Sequence, residues 1–402
     1  MKINRAYKTE LDPNKKQLES LKKHAGAARF AFNWGLARRI EEYKKTEKFP
    51  NAIEQHKQLN ALKETEFPWM YEVSKCAPQE ALRNLDQAYA NFFRRLKLLK
   101  EGKLKGKVGF PKFKSKKRGL GSFRLTGAIH VSDSYVSLPR IGKVRLKEKG
   151  YIKTEGVKIN SATVSARAGR WFVSISVEQE IEVSAGEGPP IGVDLGLKKM
   201  AVCSTGQTFD NPKALRRNLR KLARLQRKLS RQKKESKRRE KTRLQIAKLH
   251  YRISNIRKDA IHKATSQMVA KNKPPTLRPS AIVVEDLNVA GMLSNRKLSR
   301  AIADVSFSEL RRQLSYKCSW YFVKLIVADR FFASSKTCSR CGAIKQTLEL
   351  SEREYVCAEC GVILDRDLNA ALNLQKLAGS SSERINACGE DVRPTQKVGN
   401  PL

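Results

Sequence analysis

The chain of 402 residues is strongly basic, because 82 Lys and Arg stand against 39 Asp and Glu and give a formal net charge of +43. Such a chain repels itself unless a polyanion neutralises it, so we expect nucleic acid as its partner. No apolar run approaches the roughly 20 residues of a membrane span, and the first residues lack an apolar signal core. We therefore expect a cytoplasmic protein of about two or three domains that has no membrane partner.

The predicted secondary structure changes twice within the first 185 residues. Residues 1–10 alternate loosely and predict one strand, whereas residues 11–104 carry apolar side chains at helical spacing and predict a helical domain. Short alternating segments fill residues 105–185 and predict a small β-barrel. Strand 1–10 could belong to that barrel, which would make the helical block an insertion. Helices are predicted at about 12–40, 54–64 and 78–100, and strands at 128–131, 135–138, 143–146, 157–164 and 171–178.

A stretch rich in glycine, lysine and phenylalanine follows the helical block. Residues 102–119 read GKLKGKVGFPKFKSKKRG, and the glycines and the proline oppose a helix. Ammonium groups interleaved with aromatic rings suit a nucleic-acid strand, since the ammonium groups meet phosphates and the rings stack on bases. The alternative is a solvated loop whose rings tuck into the next sheet. The candidate contacts are Lys107, Phe110, Lys112, Phe113 and Lys114.

Residues 213–258 predict a pair of basic helices with a break near residues 230–236. They contain twenty Lys and Arg and only two acids, Glu235 and Glu240. Like charges three and four positions apart destabilise an isolated helix. We therefore prefer contact with nucleic-acid phosphates, which would not read sequence, over a solvated face. The candidates on the first helix are Arg220, Arg224 and Arg227.

Two apolar segments beyond residue 185 each end in an acid. Asp194 closes the segment IGVD, and Glu285 closes AIVVE, whose length and branching predict a buried, parallel-type strand. The carboxyl ends of parallel strands lie side by side, so both carboxylates would reach one crevice. Asp367, at the start of a predicted helix over residues 368–377, can point in from the side. Further strands are predicted at 200–203 and 325–328, and a further helix at 308–325.

Three carboxylates without a histidine are hard oxygen ligands and suit Mg²⁺ or Mn²⁺ rather than zinc. Two such ions about 4 Å apart would activate a water molecule and stabilise the leaving oxygen of a phosphodiester, which is hydrolytic strand cleavage. Alternatives stay open at each position. Asp194 could cap a turn, and Asp286 could replace Glu285, although period-two alternation points it to the opposite face. Asp365 could take the third position, or it could cap the following helix.

The cysteines give the strongest local pattern. Two pairs follow the spacing C-x₂-C-x₁₅-C-x₂-C, which is typical of a tetrahedral zinc ribbon with no open coordination position. The predicted zinc is therefore structural, and a redox role for either pair is the alternative. The predicted ligands are Cys338, Cys341, Cys357 and Cys360. The four other cysteines are scattered, which fits a reducing compartment rather than a disulfide framework.

Six motifs spread along the chain resemble one known family. They read GAARFAFNWGLARR (26–39), VGFPKFKSKK (108–117), IGVDLGLKKMAV (191–202), IVVEDLNVAGM (282–292), SSKTCSRCG (334–342) and DRDLNAALNL (365–374). Together they resemble TnpB, the transposon-encoded proteins of bacterial insertion sequences, which are related to the compact type V CRISPR effectors. The resemblance covers nearly the whole chain, and the last three motifs in this order are highly specific.

The resemblance implies a multidomain architecture of α/β and β parts. It implies an RNase H-like RuvC nuclease domain with an inserted four-cysteine zinc ribbon, and an N-terminal OB-like β-barrel interrupted by a helical recognition domain. The corresponding ranges are 1–10 and 105–185 for the barrel, 11–104 for the recognition domain, 186–333 and 365–380 for the RuvC domain, and 334–364 for the target-nucleic-acid-binding ribbon. A partly disordered tail is expected over residues 381–402.

The resemblance also implies an activity, namely RNA-guided cleavage of double-stranded DNA beside a short transposon-adjacent motif by a two-metal, Mg²⁺-dependent site. The guide RNA would derive from the transposon end. The acidic triad of the family falls on Asp194, Glu285 and Asp367. The stretch EVSKCAPQEAL (72–82) resembles the part that inspects the flanking DNA, which makes Lys75 and Gln79 candidates.

The residues by themselves predict a metal-dependent nuclease on a scaffold for polyanions, and the guide RNA follows from the resemblance alone. Two other functions compete with this prediction. One is a catalytically silent, RNA-guided DNA-binding regulator on the same scaffold, which the intact acids argue against. The other is a transposase or resolvase that works without a guide.

Overall fold

The computed structural model describes residues 1–46, 50–104, 106–153, 155–181, 184–349 and 351–380. The tail predicted over residues 381–402 lies outside the described residues. The chain divides into two compact units, Met1–Ile181 and Glu182–Leu402.

The first unit contains one seven-stranded antiparallel sheet with the order β2-β6-β7-β1-β5-β4-β3. The predicted strand at residues 1–10 is present as β1, and it pairs with β7 on one side and β5 on the other. Strand β2 is not among the predicted strands. The strands are β1 (Lys2–Asp12), β2 (Ser122–Leu125), β3 (His130–Val131), β4 (Tyr135–Leu138), β5 (Gly142–Leu146), β6 (Lys158–Arg167) and β7 (Arg170–Glu180).

Three helices lie between β1 and β2, namely α1 (Lys15–Thr46), α2 (Ala52–Ala61) and α3 (Cys76–Lys100). Helix α2 begins two residues before the predicted start because Asn51 forms a capping box with Glu54. Apolar side chains of α1 and α3 join those of the sheet in one continuous core. The predicted helical block is thus held to the sheet by the burial of its apolar faces.

The second unit contains a five-stranded mixed sheet with the order β10-β9-β8-β11-β12. Strands β8, β11 and β12 run parallel to one another, and β9 and β10 are antiparallel additions. The strands are β8 (Ile191–Asp194), β9 (Lys199–Cys203), β10 (Thr208–Asp210), β11 (Ala281–Val284) and β12 (Lys324–Val327). A separate two-stranded sheet pairs β13 (Glu354–Val356) with β14 (Ile363–Asp365).

Six helices accompany the mixed sheet in the described part of this unit. They are α4 (Ala214–Ser230), α5 (Lys237–Met268), α6 (Val289–Ser294), α7 (Ser299–Val305), α8 (Phe307–Tyr321) and α9 (Arg366–Ser380). The predicted basic hairpin is α4 and α5, and the break between them falls within the predicted range. Buried Leu222, Leu249 and Ile253 hold the two helices together.

The two faces of the mixed sheet are covered by different helices. Ile282 and Val284 join the apolar cluster that contains side chains of α5 and α8. Val283, which points to the other face, packs with Leu374 of α9. Alternate residues of a strand face opposite sides of the sheet. If the alternation continues past β11, Glu285 lies on the same face as Val283, and Asp286 lies on the same face as Val284.

Candidate metal centres

Strands β8 and β11 carry two of the predicted acids to the same edge of the sheet. The strands are parallel, and Val193 lies opposite Val284. Asp194 is the last residue of β8, and Glu285 directly follows β11. The two acids therefore lie side by side at the ends of neighbouring strands. The predicted meeting of strand ends is therefore present between these two segments.

Helix α9 crosses β8 at unusually close range. A Cβ atom at Gly192 would collide with the carbonyl oxygen of Ala371 and come within 2.5 Å of the backbone nitrogen of Gln375. Asp194 lies two residues beyond Gly192 and shares its face of the strand. Asp367 lies one helical turn before Ala371. The close approach at Gly192 thus brings the first turn of α9 next to Asp194.

Glu285 and Asp367 lie close enough to Asp194 for their charges to act on its carboxyl group. Burial raises the pKa of Asp194 well above its ordinary value, and the charges of Glu285 and Asp367 raise it further. The nearby Arg366 guanidinium lowers the pKa of Asp194, but the pKa remains above its ordinary value. Like charges held together in this way favour a cation between them. Oxygen ligands without sulfur or imidazole fit Mg²⁺ or Mn²⁺.

The three carboxylates do not cluster as tightly as the four cysteines do. Among the described residues, the four cysteines form the group of metal-ligating side chains whose ligand atoms all lie within 4.8 Å of one another, and the three acids do not reach that separation. Mutual repulsion of like charges favours the wider spacing.

The neighbouring acids have other partners. Asp365 Oδ1 accepts hydrogen bonds from the backbone nitrogens of Asp367, at 3.0 Å, and Leu368, at 3.1 Å, so it caps the start of α9. Asp286 accepts hydrogen bonds from Arg311 at 2.9 Å and from Arg330 at 2.5 Å. Arg311 belongs to α8, so Asp286 reaches the side of the sheet that α8 covers.

The structure adds three residues that the sequence analysis did not single out. Ser334 Oγ donates a hydrogen bond to Glu285 Oε1 at 2.6 Å. Asn369 and Asn373 are buried on α9 and bind the backbone of the segment that contains Ser334. Their spacing in DRDLNAALN, four residues apart on the helix that carries Asp367 in its first turn, is a signal that could have identified them.

The four cysteines converge. The sulfur atoms of Cys338 and Cys360 are 3.6 Å apart, and those of Cys341 and Cys357 are also 3.6 Å apart. A disulfide bond would require about 2.05 Å. A tetrahedron with zinc–sulfur bonds of about 2.3 Å has edges of about 3.8 Å. The geometry suits a four-coordinate zinc ion and argues against a disulfide between Cys338 and Cys360 or between Cys341 and Cys357.

The predicted nucleic-acid contacts of the first unit differ in exposure. Lys75 is exposed at the start of α3, and Gln79 is half-buried one turn later. Phe113 is 52% exposed and Phe110 is 44% exposed, and the ring of Phe110 packs edge-on against Tyr89. Phe110 therefore rests partly on α3, and not on the sheet as the alternative supposed.

The loop that carries these rings is fixed at one point. The side-chain amide of Asn33 accepts from the backbone nitrogen of Lys114 at 2.7 Å and donates to its carbonyl oxygen at 2.9 Å. The ammonium group of Lys114 lies 3.8 Å from the centre of the Phe32 ring, and burial lowers its pKa. Lys107 and Lys112 are exposed on the same loop.

In the second unit, Arg220, Arg224 and Arg227 are all exposed on α4. Leu222 turns to the opposite side and is buried against α5. The start of α4 is anchored by Asp304, whose carboxylate accepts hydrogen bonds from the backbone nitrogens of Leu215 and Arg216. The basic face of α4 is thus presented by a helix that is fixed at its start.

Comparison with known proteins decides the family. The chain is 34% identical over 398 residues to a Streptomyces pristinaespiralis protein described as "Putative RNA-guided DNA endonuclease", covering 98% of this chain and 93% of that protein. The chain belongs to the TnpB family. An Escherichia coli K12 relative described as "Putative RNA-guided DNA endonuclease InsQ" is 32% identical and covers 100% of this chain and 97% of its own length.

Family models match three parts of this TnpB chain. Residues 163–296 match "Probable transposase", residues 307–374 match "Cas12f1-like, TNB domain" and residues 1–48 match "Helix-turn-helix domain". The structure describes residues 1–46 of the range matched by the helix-turn-helix model, and there it has strand β1 and one 32-residue helix, α1. A helix-turn-helix is therefore not formed within residues 1–46.

Solved structures agree on the fold of this TnpB protein. A Cas12f1–sgRNA–target DNA complex superposes with a TM-score of 0.54 at 14% identity, covering 93% of this chain and 99% of that one. The mini-RNA-guided endonuclease CRISPR-Cas_phi3 superposes with a TM-score of 0.50 at 10% identity, covering 94% and 92%. These likenesses bear on the fold alone, which is that of the compact effectors with mixed α/β sheets. None of the described helices is long and apolar enough to cross a membrane.

Proposed function

We propose that this protein is an RNA-guided endonuclease that hydrolyses phosphodiester bonds of double-stranded DNA. The observation that carries the proposal is geometric: Asp194 and Glu285 stand at the ends of neighbouring parallel strands, and the close approach of Gly192 to Ala371 brings the first turn of α9, with Asp367, beside them. The charges of Glu285 and Asp367 raise the pKa of Asp194, which supports their proximity. Family membership supports it, since two relatives that match almost the whole chain are described as RNA-guided DNA endonucleases.

Asp194, Glu285 and Asp367 would hold two Mg²⁺ or Mn²⁺ ions. The ions, when bound, supply an activated water molecule and stabilise the leaving oxygen. The chain itself contributes the fixed carboxylates and their surroundings. Asp365 caps α9 and so fixes the first turn, on which Asp367 lies. Burial of Asp194 strengthens its attraction for a cation relative to a carboxylate in water.

The proposed domain organisation follows the family. Residues 1–10 and 105–185 form a β-barrel, into which the helical recognition domain of residues 11–104 is inserted. Residues 186–333 and 365–380 form an RNase H-like RuvC domain. Residues 334–364 form a zinc ribbon held by Cys338, Cys341, Cys357 and Cys360. Sulfur separations of 3.6 Å support a structural zinc there.

The proposed partners are a guide RNA from the transposon end and a target duplex beside a short adjacent motif. The net charge of +43 is large enough to neutralise phosphates of both. Arg220, Arg224 and Arg227 would bind phosphates from the exposed face of α4. Lys75 and Gln79 would inspect the flanking DNA, and Lys107, Phe110, Lys112, Phe113 and Lys114 would contact a strand from the basic loop.

The test is cleavage of a target plasmid by the full chain, purified with its co-expressed RNA and supplied with Mg²⁺. We expect cleavage that Asp194→Ala abolishes. The matched control is Asp259→Asn, which neutralises an exposed acid of α5 that pairs with Lys263. Equal cutting by Asp194→Ala and the wild type would refute the assignment of the acid site.

The two competing functions give different results in the same assay. A silent regulator would bind the target without cutting it. An unguided transposase or resolvase would keep its activity after the RNA has been removed and the protein re-purified. Sequencing of the co-purified RNA then identifies the guide.

A further inference from the structure

Glu285 is held by the segment that leads from β12 into the zinc cluster. Ser334 Oγ donates a hydrogen bond to Glu285 Oε1 at 2.6 Å, and Ser334 is only 4% exposed. A hydroxyl–carboxylate bond of this length is charge-assisted and stronger than a neutral hydrogen bond. The bond engages one oxygen of the carboxylate and opposes rotation of the group.

Ser334 is itself held by α9. The side-chain amide of Asn373 donates to the carbonyl oxygen of Ser334 at 2.8 Å and to that of Thr337 at 2.6 Å. Asn373 is 3% exposed. Since a buried amide that loses its partners is costly, Asn373 keeps the Ser334 backbone in a single position.

A second buried amide lies one turn earlier on the same helix. Asn369 Nδ2 donates to the carbonyl oxygen of Thr337 at 2.7 Å, and Asn369 Oδ1 accepts from the backbone nitrogen of Ser339 at 2.9 Å. Asn369 is fully buried. The two asparagines therefore hold the backbone of residues 334–339, which includes Cys338, against α9.

Helix α9 thus reaches all three acids. It carries Asp367, it crosses β8 at Gly192 beside Asp194, and it holds Glu285 through Asn373 and Ser334. We propose that Ser334 is a positioning residue for Glu285, which it keeps in the orientation that binds the divalent cation, and that Asn369 and Asn373 make this support rigid. The inference rests on the proposed function, since it concerns the same acid site.

The expected effect is a loss of cation affinity. Partners that orient a metal ligand change metal affinity by roughly 10–100-fold when removed. Ser334→Ala should therefore weaken Mn²⁺ binding at the acid site by about 10-fold. The matched control is Ser335→Ala, because Ser335, within the described part of the chain, makes no hydrogen bond to any of the three acids.

The experiment is an Mn²⁺ titration of the full, zinc-loaded chain without nucleic acid, in which free Mn²⁺ is followed by electron paramagnetic resonance. The acid site is defined as the binding that Asp194→Asn removes. Ser334→Ala should lose about 10-fold in affinity while Ser335→Ala matches the wild type. Affinities of the two serine variants within twofold of each other would overturn the inference.

Two further variants separate positioning from general damage to the fold. Ser334→Thr keeps the hydroxyl and should restore most of the affinity, whereas a folded Thr variant that binds as weakly as Ala contradicts the inference. In a Glu285→Gln background, Ser334→Ala should add little further loss. A full additional 10-fold loss there would mean that Ser334 does not act through Glu285.

The titration uses neither guide nor target. Absence of RNA-dependent cleavage would therefore count against the proposed function, while the Mn²⁺ affinities would still decide the role of Ser334.

Discussion

Gly192 lies directly against the backbone of Ala371, where strand β8 meets helix α9, and a Cβ atom at this glycine would collide with the Ala371 carbonyl oxygen. The atoms that would clash belong to backbone, so no side-chain rotation can relieve the contact. This glycine sets the distance between the strand that ends in Asp194 and the helix that begins beside Asp367.

We expect Gly192→Ala to lower the free energy of unfolding by about 3 kcal/mol, because overpacking against fixed backbone separates the strand from the helix. Cleavage should fall with it, since Asp194 and Asp367 move apart. Urea denaturation measures the loss. The control is Gly379→Ala on α9, where a Cβ has open space around it and should be neutral or slightly stabilising. Equal stability of both variants would contradict the close packing.

Asp194 makes the ion-free protein sensitive to pH. Burial, and then the charges of Glu285 and Asp367, raise the pKa of Asp194 above its ordinary 3.8. The folded state therefore holds this proton more tightly than the unfolded chain. Stability contributed by the protonated group is present below about pH 3.8 and is lost as the pH rises through the raised value.

Asp194→Asn should accordingly stabilise the ion-free protein at pH 8 and leave its stability unchanged near pH 3, while it abolishes cleavage. Denaturation midpoints across this pH range measure the difference. Asp259→Asn, at an exposed ion pair, should show no such pH-dependent gain. A gain for Asp194→Asn that is larger in acid would show that the carboxyl is not destabilised by its neighbours.

Loss of one of the four clustered cysteines should remove the proposed zinc ion. We expect Cys357→Ser to lose the bound zinc and to expose residues 334–364 to amide hydrogen exchange, since binding of zinc is what stabilises such a small ribbon. Metal analysis and exchange rates measure both effects. Cys203→Ala is the control, because Cys203 is buried among the apolar side chains of the mixed sheet and is not one of the four clustered cysteines. Full zinc content in Cys357→Ser would exclude this residue as a ligand.

Neutralising the exposed face of α4 should weaken nucleic-acid binding without altering the fold. The triple variant Arg220→Gln, Arg224→Gln and Arg227→Gln should reduce the slope of log K against log salt by about 2, given that each phosphate contact contributes about 0.7–0.9. The triple variant keeps Leu222 on the buried side of α4, so its melting temperature should equal that of the wild type. Filter binding at several salt concentrations measures the slope.

The control for this variant matches the lost charge elsewhere on the surface. It is a triple Gln variant of Lys15, Lys16 and Lys22, which are exposed on α1. An equal change of slope in both triple variants would remove any special role of α4.

The secondary structure was largely predictable where the pattern is long. The basic helices, the central strands and α9 appear close to the predicted ranges. Helix α8 ends at Tyr321, four residues before the predicted end, because Phe322 adopts a left-handed conformation with φ 51°. Strands β2 and β10, of four and three residues, were not predicted.

What the sequence determined by itself lies within continuous segments. The spacing of the four cysteines, the acids that end two apolar strands, and the excess of basic residues are local or summed properties that need no coordinates. The cysteine spacing and the two strand ends named six of the seven residues of the candidate metal centres, and Asp367 followed from its place at the start of a predicted helix and from the family resemblance.

What only the tertiary structure decided are contacts between distant segments. Ser334 meets Glu285 across 49 positions of sequence, and Gly192 meets Ala371 across a still longer interval. The tertiary structure likewise showed that Asp365 caps α9 and that Asp286 faces α8. No periodicity encodes such pairs, because each depends on how the helices pack on the two faces of the sheet, and this packing is fixed by the whole core rather than by any one segment.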